Sequence, residues 1–154
     1  MKKGFFISLL LIIIVITTGC GNTKEPLEKF TCTMNGEIVA GTTIDKKYTV
    51  TYRGEYVETE EQVEILKSDN QPILAAYKST VEALHSQYKD VKYYDYKIDL
   101  KSDTLTTSLA IDYTKVNTDK LIEVNSANSN YIKDGKVTVS ALKQKYKSEG
   151  ASCE

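Results

Sequence analysis

The clearest pattern along the chain is alternation. Over Asp45 to Arg53 (DKKYTVTYR), Tyr48, Val50 and Tyr52 fall on one side, and Lys47, Thr49, Thr51 and Arg53 on the other. A period of two with one apolar face predicts a half-buried strand. Gly54 marks a tight turn, and Glu55 to Leu66 resumes as strand with Val57, Thr59, Val63 and Ile65 in phase. Glu61 interrupts that phase, which predicts a bulge or an edge position. Glu58, Glu60 and Glu64 share the opposite side and read as a solvated face. Upstream, Phe30 to Met34 predicts a shorter strand, Asn35-Gly36 a turn, and Val39 to Thr43 a loop. Downstream, Tyr94, Tyr96, Ile98 and Leu100 alternate with Asp95, Lys97 and Asp99. After a turn at Ser102-Asp103, the inner face continues through Leu105, Thr107, Leu109, Ile111 and Tyr113. So short a connection predicts an antiparallel hairpin.

The period changes to that of a helix at Leu74, Tyr77, Val81, Leu84 and Tyr88, which form one apolar stripe. Ser68-Asp69-Asn70 is a start signal and Pro72 suits a first turn, so a helix is predicted from Asp69 to Lys89. Asn117 or Thr118 caps a short helix through Val124, and NSANSN over Asn125 to Asn130 is turn-rich. Thr138 caps a last helix with Val139, Leu142 and Tyr146 inward and Gly150 as its stop. Strands with one apolar face need one cover. The expected fold is α+β: a two-layer domain with a meandering antiparallel sheet of about five strands, covered on one face by one long and one or two short helices.

The first residues follow neither pattern. Lys2 and Lys3 precede a nearly unbroken apolar run from Phe5 to Ile16, shorter than the roughly 20 residues a membrane span needs. A basic start, a short apolar core and small residues have the form of an export signal. The run ends in Thr17-Thr18-Gly19-Cys20, which resembles a bacterial lipobox with Thr17 in place of the usual aliphatic residue. In such signals the cysteine sulfur receives a diacylglycerol, and cleavage leaves the cysteine as the first mature residue. The expected organisation is a lipoprotein signal peptide over 1–19, a polar tether over 20–29 and a single domain over 30–154. The membrane partner is then reached through lipidated Cys20, on the extracytoplasmic face of the cell membrane.

Composition adds three constraints. Loss of Lys2 and Lys3 with the leader takes the 20 basic residues to 18 against 21 acidic ones, a net charge of −3. That balance gives no electrostatic case for nucleic acid. Of the three cysteines, lipidation of Cys20 leaves Cys32 and Cys153. An exported chain favours a disulfide between them over two free thiols or a metal pair, and one histidine with no close cysteine spacing makes a poor metal site. No metal and no cofactor are expected. There are 11 tyrosines and no tryptophan. Most of the tyrosines follow inward strand or helix phases, whereas Tyr56, Tyr93 and Tyr131 do not and are the candidates for a binding site.

Catalytic signals are thin. His85, the single histidine, lies on the flank of the helical stripe with no nucleophile motif beside it. It reads as a partly exposed surface side chain whose loss costs less than about 0.5 kcal/mol. The acidic run over Glu58 to Glu64 lacks the spacing of a calcium loop. Asp95, Asp99, Asp103 and Asp112 are interleaved with lysines, which predicts cross-strand ion pairs on the hairpin's outer side.

Several stretches taken together, YTVTYRGEYVE, YKDVKYYDYKIDL with LAIDYTKVNTDKL, and the closing KVTVSALKQKYKSEGASC, resemble the YehR-like family of small bacterial lipoproteins. The D-Y-[ST]-K stretch of that family is Asp112-Tyr113-Thr114-Lys115 here. The resemblance implies a lipobox, strand pairs around a central helix and an envelope location; it carries no active site. The reading is a non-enzymatic binding or envelope-structural lipoprotein, with an envelope protein or a small ligand as its partner. Two alternatives stand beside it: an envelope hydrolase using His85 and surface carboxylates, and an accessory subunit of an envelope transporter complex.

The anchor generates a test. Cys20→Ser removes the acyl acceptor, so metabolic labelling with a fatty acid should be lost and the precursor should persist. Labelling that survives the substitution overturns the lipobox.

Overall fold

A computed structural model describes residues 25–154. The leader, Cys20 and the first part of the tether lie outside the described residues. No helix among the described residues is long and apolar enough to cross a membrane.

The chain opens with three long antiparallel strands, β1 (Glu28–Val39), β2 (Thr42–Arg53) and β3 (Tyr56–Ser68). Helix α1 (Gln71–Ser86) follows, then the hairpin β4 (Tyr94–Lys101) and β5 (Thr104–Asp112). Helix α2 (Thr118–Val124), a 3-10 turn over Ser126–Asn130, the two-residue ribbon β6 (Ile132–Lys133) and β7 (Lys136–Val137), α3 (Val139–Ser148) and β8 (Ser152–Cys153) complete the order. The main sheet runs β4-β5-β3-β2-β1-β8, six strands where about five were expected. The sixth, β8, is only two residues long and is held where Cys153 lies opposite Cys32.

Strand β1 does not turn at Asn35-Gly36. Both residues pair with β2, and the turn comes at Ala40-Gly41, where Gly41 has φ +76° and donates its N–H to Glu37 Oε1 at 2.8 Å. The N-terminal end of β1 also reaches two residues into the expected tether, to Glu28.

The larger difference lies in β3. Thr51 pairs with Thr59 and Tyr52 with Val57, so Glu58 is one residue too many. A bulge reverses which side chains face the core, because strand side chains alternate with period two. Val57 is buried before it; after it Glu60, Glu64, Leu66 and Ser68 are buried, while Val63 is 39% exposed. Glu60 and Glu64, expected on a solvated face, therefore point into the fold, Glu58 pairs with Arg53, and Val63 and Ile65 point away. The strand bulges as expected, but at Glu58, and it lies between β2 and β5 rather than at an edge.

The helices cover one face, and the core divides into two clusters. Phe30, Tyr48, Val50, Ile111, Leu121, Leu142 and Tyr146 form the larger one, beneath α2 and α3. Ile44, Leu66, Leu105 and Leu74 form the smaller one, at the start of α1. Helix α1 reaches from one cluster to the other, since Tyr88 just past its end belongs to the larger cluster. At 16 residues it is roughly 24 Å long. Its start uses Pro72 in the first turn, and α2 and α3 are capped by the side chains of Asn117 and Thr138, as the sequence predicts.

Cys32 and Cys153 are joined by a disulfide that closes a 121-residue loop. Constraint of the unfolded chain by so long a loop is worth about 2–4 kcal/mol in most measured cases. Reduction should lower the urea midpoint and the melting temperature without changing the far-ultraviolet spectrum. Intact-mass analysis should show both thiols protected from alkylation before reduction and both modified after it.

Candidate functional site: a tyrosine-lined cleft over the sheet

Between the two clusters the sheet carries polar side chains, and α1 spans them. The space enclosed is a cleft of about 720 Å³. Its floor is built in cross-strand rows. Lys46, Glu64 and Thr107 are register neighbours on β2, β3 and β5; Tyr48, Gln62 and Leu109 form the next row; Val50, Glu60 and Ile111 the third, with Tyr94 of β4 beyond Ile111. The roof is Tyr77, Val81, Leu84 and His85 of α1 with Tyr88, and the far walls come from the Asn125–Tyr131 segment and from α3.

Two carboxylates dominate the floor. Glu64 is 4% exposed, takes a hydrogen bond from the Tyr77 hydroxyl at 2.7 Å and pairs with Lys46 Nζ at 2.6 Å. Glu60 is 2% exposed and accepts from the Tyr113 hydroxyl at 2.7 Å, but it makes no ion pair among the described residues. Beside it the hydroxyl of Tyr146 is buried with no hydrogen-bond partner among the described residues. Burial, and then the charge of Glu60, push the Tyr113 and Tyr146 phenols far above their ordinary value of 10.0. At the rim, Tyr48 donates to Glu149 Oε2 at 2.9 Å, and Lys145 lies 3.9 Å from the same carboxylate.

The remaining tyrosines knit the walls. Asn128, itself buried, donates to Tyr88 at 3.3 Å and to the Leu121 carbonyl at 2.7 Å, and accepts from Tyr131 at 2.7 Å. The rings of Tyr88 and Tyr94 stack at 4.4 Å.

His85 is partly exposed, as its flank position predicts, but it is engaged rather than free of partners. Strand β4 runs beneath that flank, so the imidazole stacks on Tyr96 at 3.7 Å and its Nδ1 lies 2.6 Å from the Tyr94 hydroxyl. Burial raises the Tyr94 phenol far above its usual value, so the phenol keeps its proton and donates to Nδ1. Burial also lowers the pKa of His85 below its ordinary 6.5, with the charge of Glu64 acting more weakly in the other direction. At neutral pH the ring is uncharged and accepts at Nδ1. Burial pushes the Tyr96 phenol up to about 12, so it too stays protonated.

The three candidate tyrosines do not form one site. Tyr131 is 8% exposed and lines the cleft. Tyr56 is exposed at a smaller hollow of about 370 Å³, with Lys136 Nζ 4.4 Å from its ring centroid. Tyr93 is exposed before β4, in a left-handed conformation at φ +66°. Conversely, Tyr48, Tyr77, Tyr88 and Tyr94, which follow inward phases, line the cleft. An inward phase places a side chain under the helices but does not distinguish core from cavity wall. The outer-face aspartates pair locally rather than across strands: Asp99 with Lys101 at 2.7 Å, and Asp112 with Lys115 at 2.8 Å. Lys115 first, and then the Thr114 hydroxyl, hold the Asp112 carboxyl below its ordinary value, so the Asp112 side chain closes a local turn while Tyr113 reaches inward to Glu60.

His85 now carries a larger predicted effect. His85→Gln removes the stack and alters the bond to Tyr94, so a loss of about 1 kcal/mol is expected near pH 7.5. A pKa lowered on folding means that the unfolded chain takes up the proton first as pH falls below about 6.5, so the contribution of neutral His85 declines there. The gap between wild type and variant should therefore shrink as pH falls from about 7.5 to 5, as read by urea melts.

The chain is similar to two curated relatives, "Uncharacterized lipoprotein Lmo0207" of Listeria monocytogenes and "Uncharacterized lipoprotein Lin0239" of Listeria innocua. It is 26% identical to the first over 132 residues, covering 84% of this chain and 81% of the relative. It is 25% identical to the second over 123 residues, covering 79% and 75%. Its fold is similar to the NMR structure of the E. coli YehR protein, with a TM-score of 0.55 at 19% identity over 86% of this chain and 92% of that one. A Streptococcus pneumoniae protein solved by NMR gives a TM-score of 0.50 at 13% identity over 100% and 97%. These two likenesses concern the fold alone. The family model described as "Protein of unknown function (DUF1307)" matches residues 30–152, and the chain belongs to that family.

Proposed function

We propose that this protein is a lipid-anchored binding protein of the extracytoplasmic membrane face that holds a small ligand in the cleft without transforming it. The observation that carries the reading is the cleft floor. A bulge in β3 turns two carboxylates inward and Val63 outward, an arrangement that works against stability. Local arrangements of that kind concentrate where function needs them. The cleft volume lies within the usual range for small-molecule sites, about 300–1,000 Å³.

The anchor rests on Gly19-Cys20 and on the lipoprotein names of both Listeria relatives. A binding rather than catalytic role is supported by how the cleft's groups are used. His85 Nδ1 faces a phenol rather than a nucleophile, and Glu64 is engaged by both Lys46 and Tyr77.

The test is a thermal-shift screen of the mature chain against amines, sugars, amino acids and short peptides, followed by mass spectrometry of the same mixtures. A ligand at about 100 times its Kd stabilises by about 2.7 kcal/mol, which raises the melting temperature by several degrees. Val81→Trp, which fills the space under α1, should remove the shift. A compound consumed during incubation overturns the non-catalytic part of the reading. An unchanged melting temperature across the screen overturns the binding part.

A further inference from the structure

The charges around the cleft do not balance. Three carboxylates line it, Glu60, Glu64 and Glu149, against two ammonium groups, those of Lys46 and Lys145. Lys46 is committed to Glu64 at 2.6 Å, and Lys145 lies beside Glu149 at 3.9 Å. His85 is neutral at physiological pH. Glu60 is left as a buried carboxylate with no cationic partner among the described residues; only the phenols of Tyr113, which donates to it, and of Tyr146 lie beside it. A buried charge is strongly disfavoured unless it is paired. The missing component is a cation.

The walls say what sort of cation. The hydroxyls of Tyr48, Tyr88, Tyr94 and Tyr131 are occupied by Glu149, Asn128, His85 and Asn128 respectively. With those tips engaged in the wall, and with Tyr88 stacked on Tyr94 and Tyr48 on Tyr146, the remaining ring faces are what the side chains have left to offer a ligand. The face of an aromatic ring attracts an ammonium group within about 6 Å of its centroid. The protein already uses its rings in this way, with Lys145 Nζ 5.0 Å from the centroid of Tyr131 and 5.2 Å from that of Tyr146. A hard metal ion needs several oxygen ligands close together, and no group of three or more His, Cys, Asp or Glu among the described residues is placed to hold one. An anion would meet the carboxylates.

We propose that the cleft binds an organic cation, an amine or quaternary ammonium group seated against Glu60 and flanked by tyrosine rings. This rests on the binding reading above and names the class of its ligand. Glu60 supplies the counter-charge, and the rings exclude water and hold the alkyl groups. Neutral compounds of the same shape lack the attraction to Glu60.

The experiment is isothermal titration of the mature chain with choline, with spermidine and with 3,3-dimethylbutanol, the uncharged isostere of choline. At least one of the two cations should bind, and the isostere should bind at least about tenfold more weakly or not at all. Glu60→Gln keeps the shape of the side chain and removes its charge, so it should lower the affinity for the cation by about tenfold or more. Glu61→Gln, exposed on the opposite face of the sheet, should leave the affinity unchanged. Circular dichroism and melting of Glu60→Gln establish that it folds. Equal affinity of wild type and folded Glu60→Gln overturns the assignment, as does tighter binding of the isostere. If neither cation binds but a sugar or peptide from the thermal-shift screen does, the ligand class is wrong and the binding reading stands. If nothing in either experiment binds, both are wrong.

Discussion

One extra residue in one strand determines the chemistry of this domain. Glu58 has no partner across β2, and beyond it every side chain of β3 is carried to the opposite face. Had β3 paired without the bulge, Thr59, Glu61, Val63 and Ile65 would face the helices. That row would carry one carboxylate in place of two, and two aliphatic side chains for α1 to pack on. Instead the helices meet Glu60, Gln62 and Glu64. A helix cannot pack closely on that floor without stripping water from two carboxylates, which costs several kcal/mol per uncompensated ion. The separation of the core into two clusters, the span of α1 between them and the cleft beneath it all follow from the same shift.

Within that frame, tyrosine reconciles a polar floor with a buried setting. Each phenol contributes apolar area along its ring and a donor at its tip. The hydroxyls of Tyr77 and Tyr113 donate to Glu64 and Glu60, and that of Tyr48 reaches Glu149. Phenylalanine would fill the same volume and leave these carboxylates short of donors. The abundance of tyrosine in the sequence is the compositional trace of the cleft.

Much of the fold was legible in the sequence because it rests on local periodicity. Tyr48, Val50 and Tyr52 alternate cleanly and face inward; Leu74 and Tyr88 mark the two ends of the helical stripe; Asn117 and Thr138 cap the helices where they stand. Pairing of Cys32 with Cys153 followed from the exported setting. The site was largely illegible because it depends on a break in periodicity. A period of two can show that a strand has two phases but not which one wins, and in β3 the run holds both, with Ile65 and Leu66 adjacent. The deciding term is the neighbouring strand: Leu66 lies between Ile44 and Leu105, and once those three align Glu60 and Glu64 must turn inward with them. The partners of His85 are illegible for a related reason, since they are set by β4, which is remote in space until the hairpin folds back. Strand β8 is too short to carry a pattern at all.

The bridge between β1 and β8 also governs how the domain bears load. Tension applied between the chain preceding Cys32 and the chain following Cys153 runs through two sulfur atoms and bypasses the 121-residue loop that holds the sheet, the helices and the cleft. The pairs that Glu28 to Thr31 make with β2 lie ahead of the bridge and bear that tension first, while the strand pairing behind it is spared. The cleft, lined wholly by residues between the two cysteines, lies outside that load path.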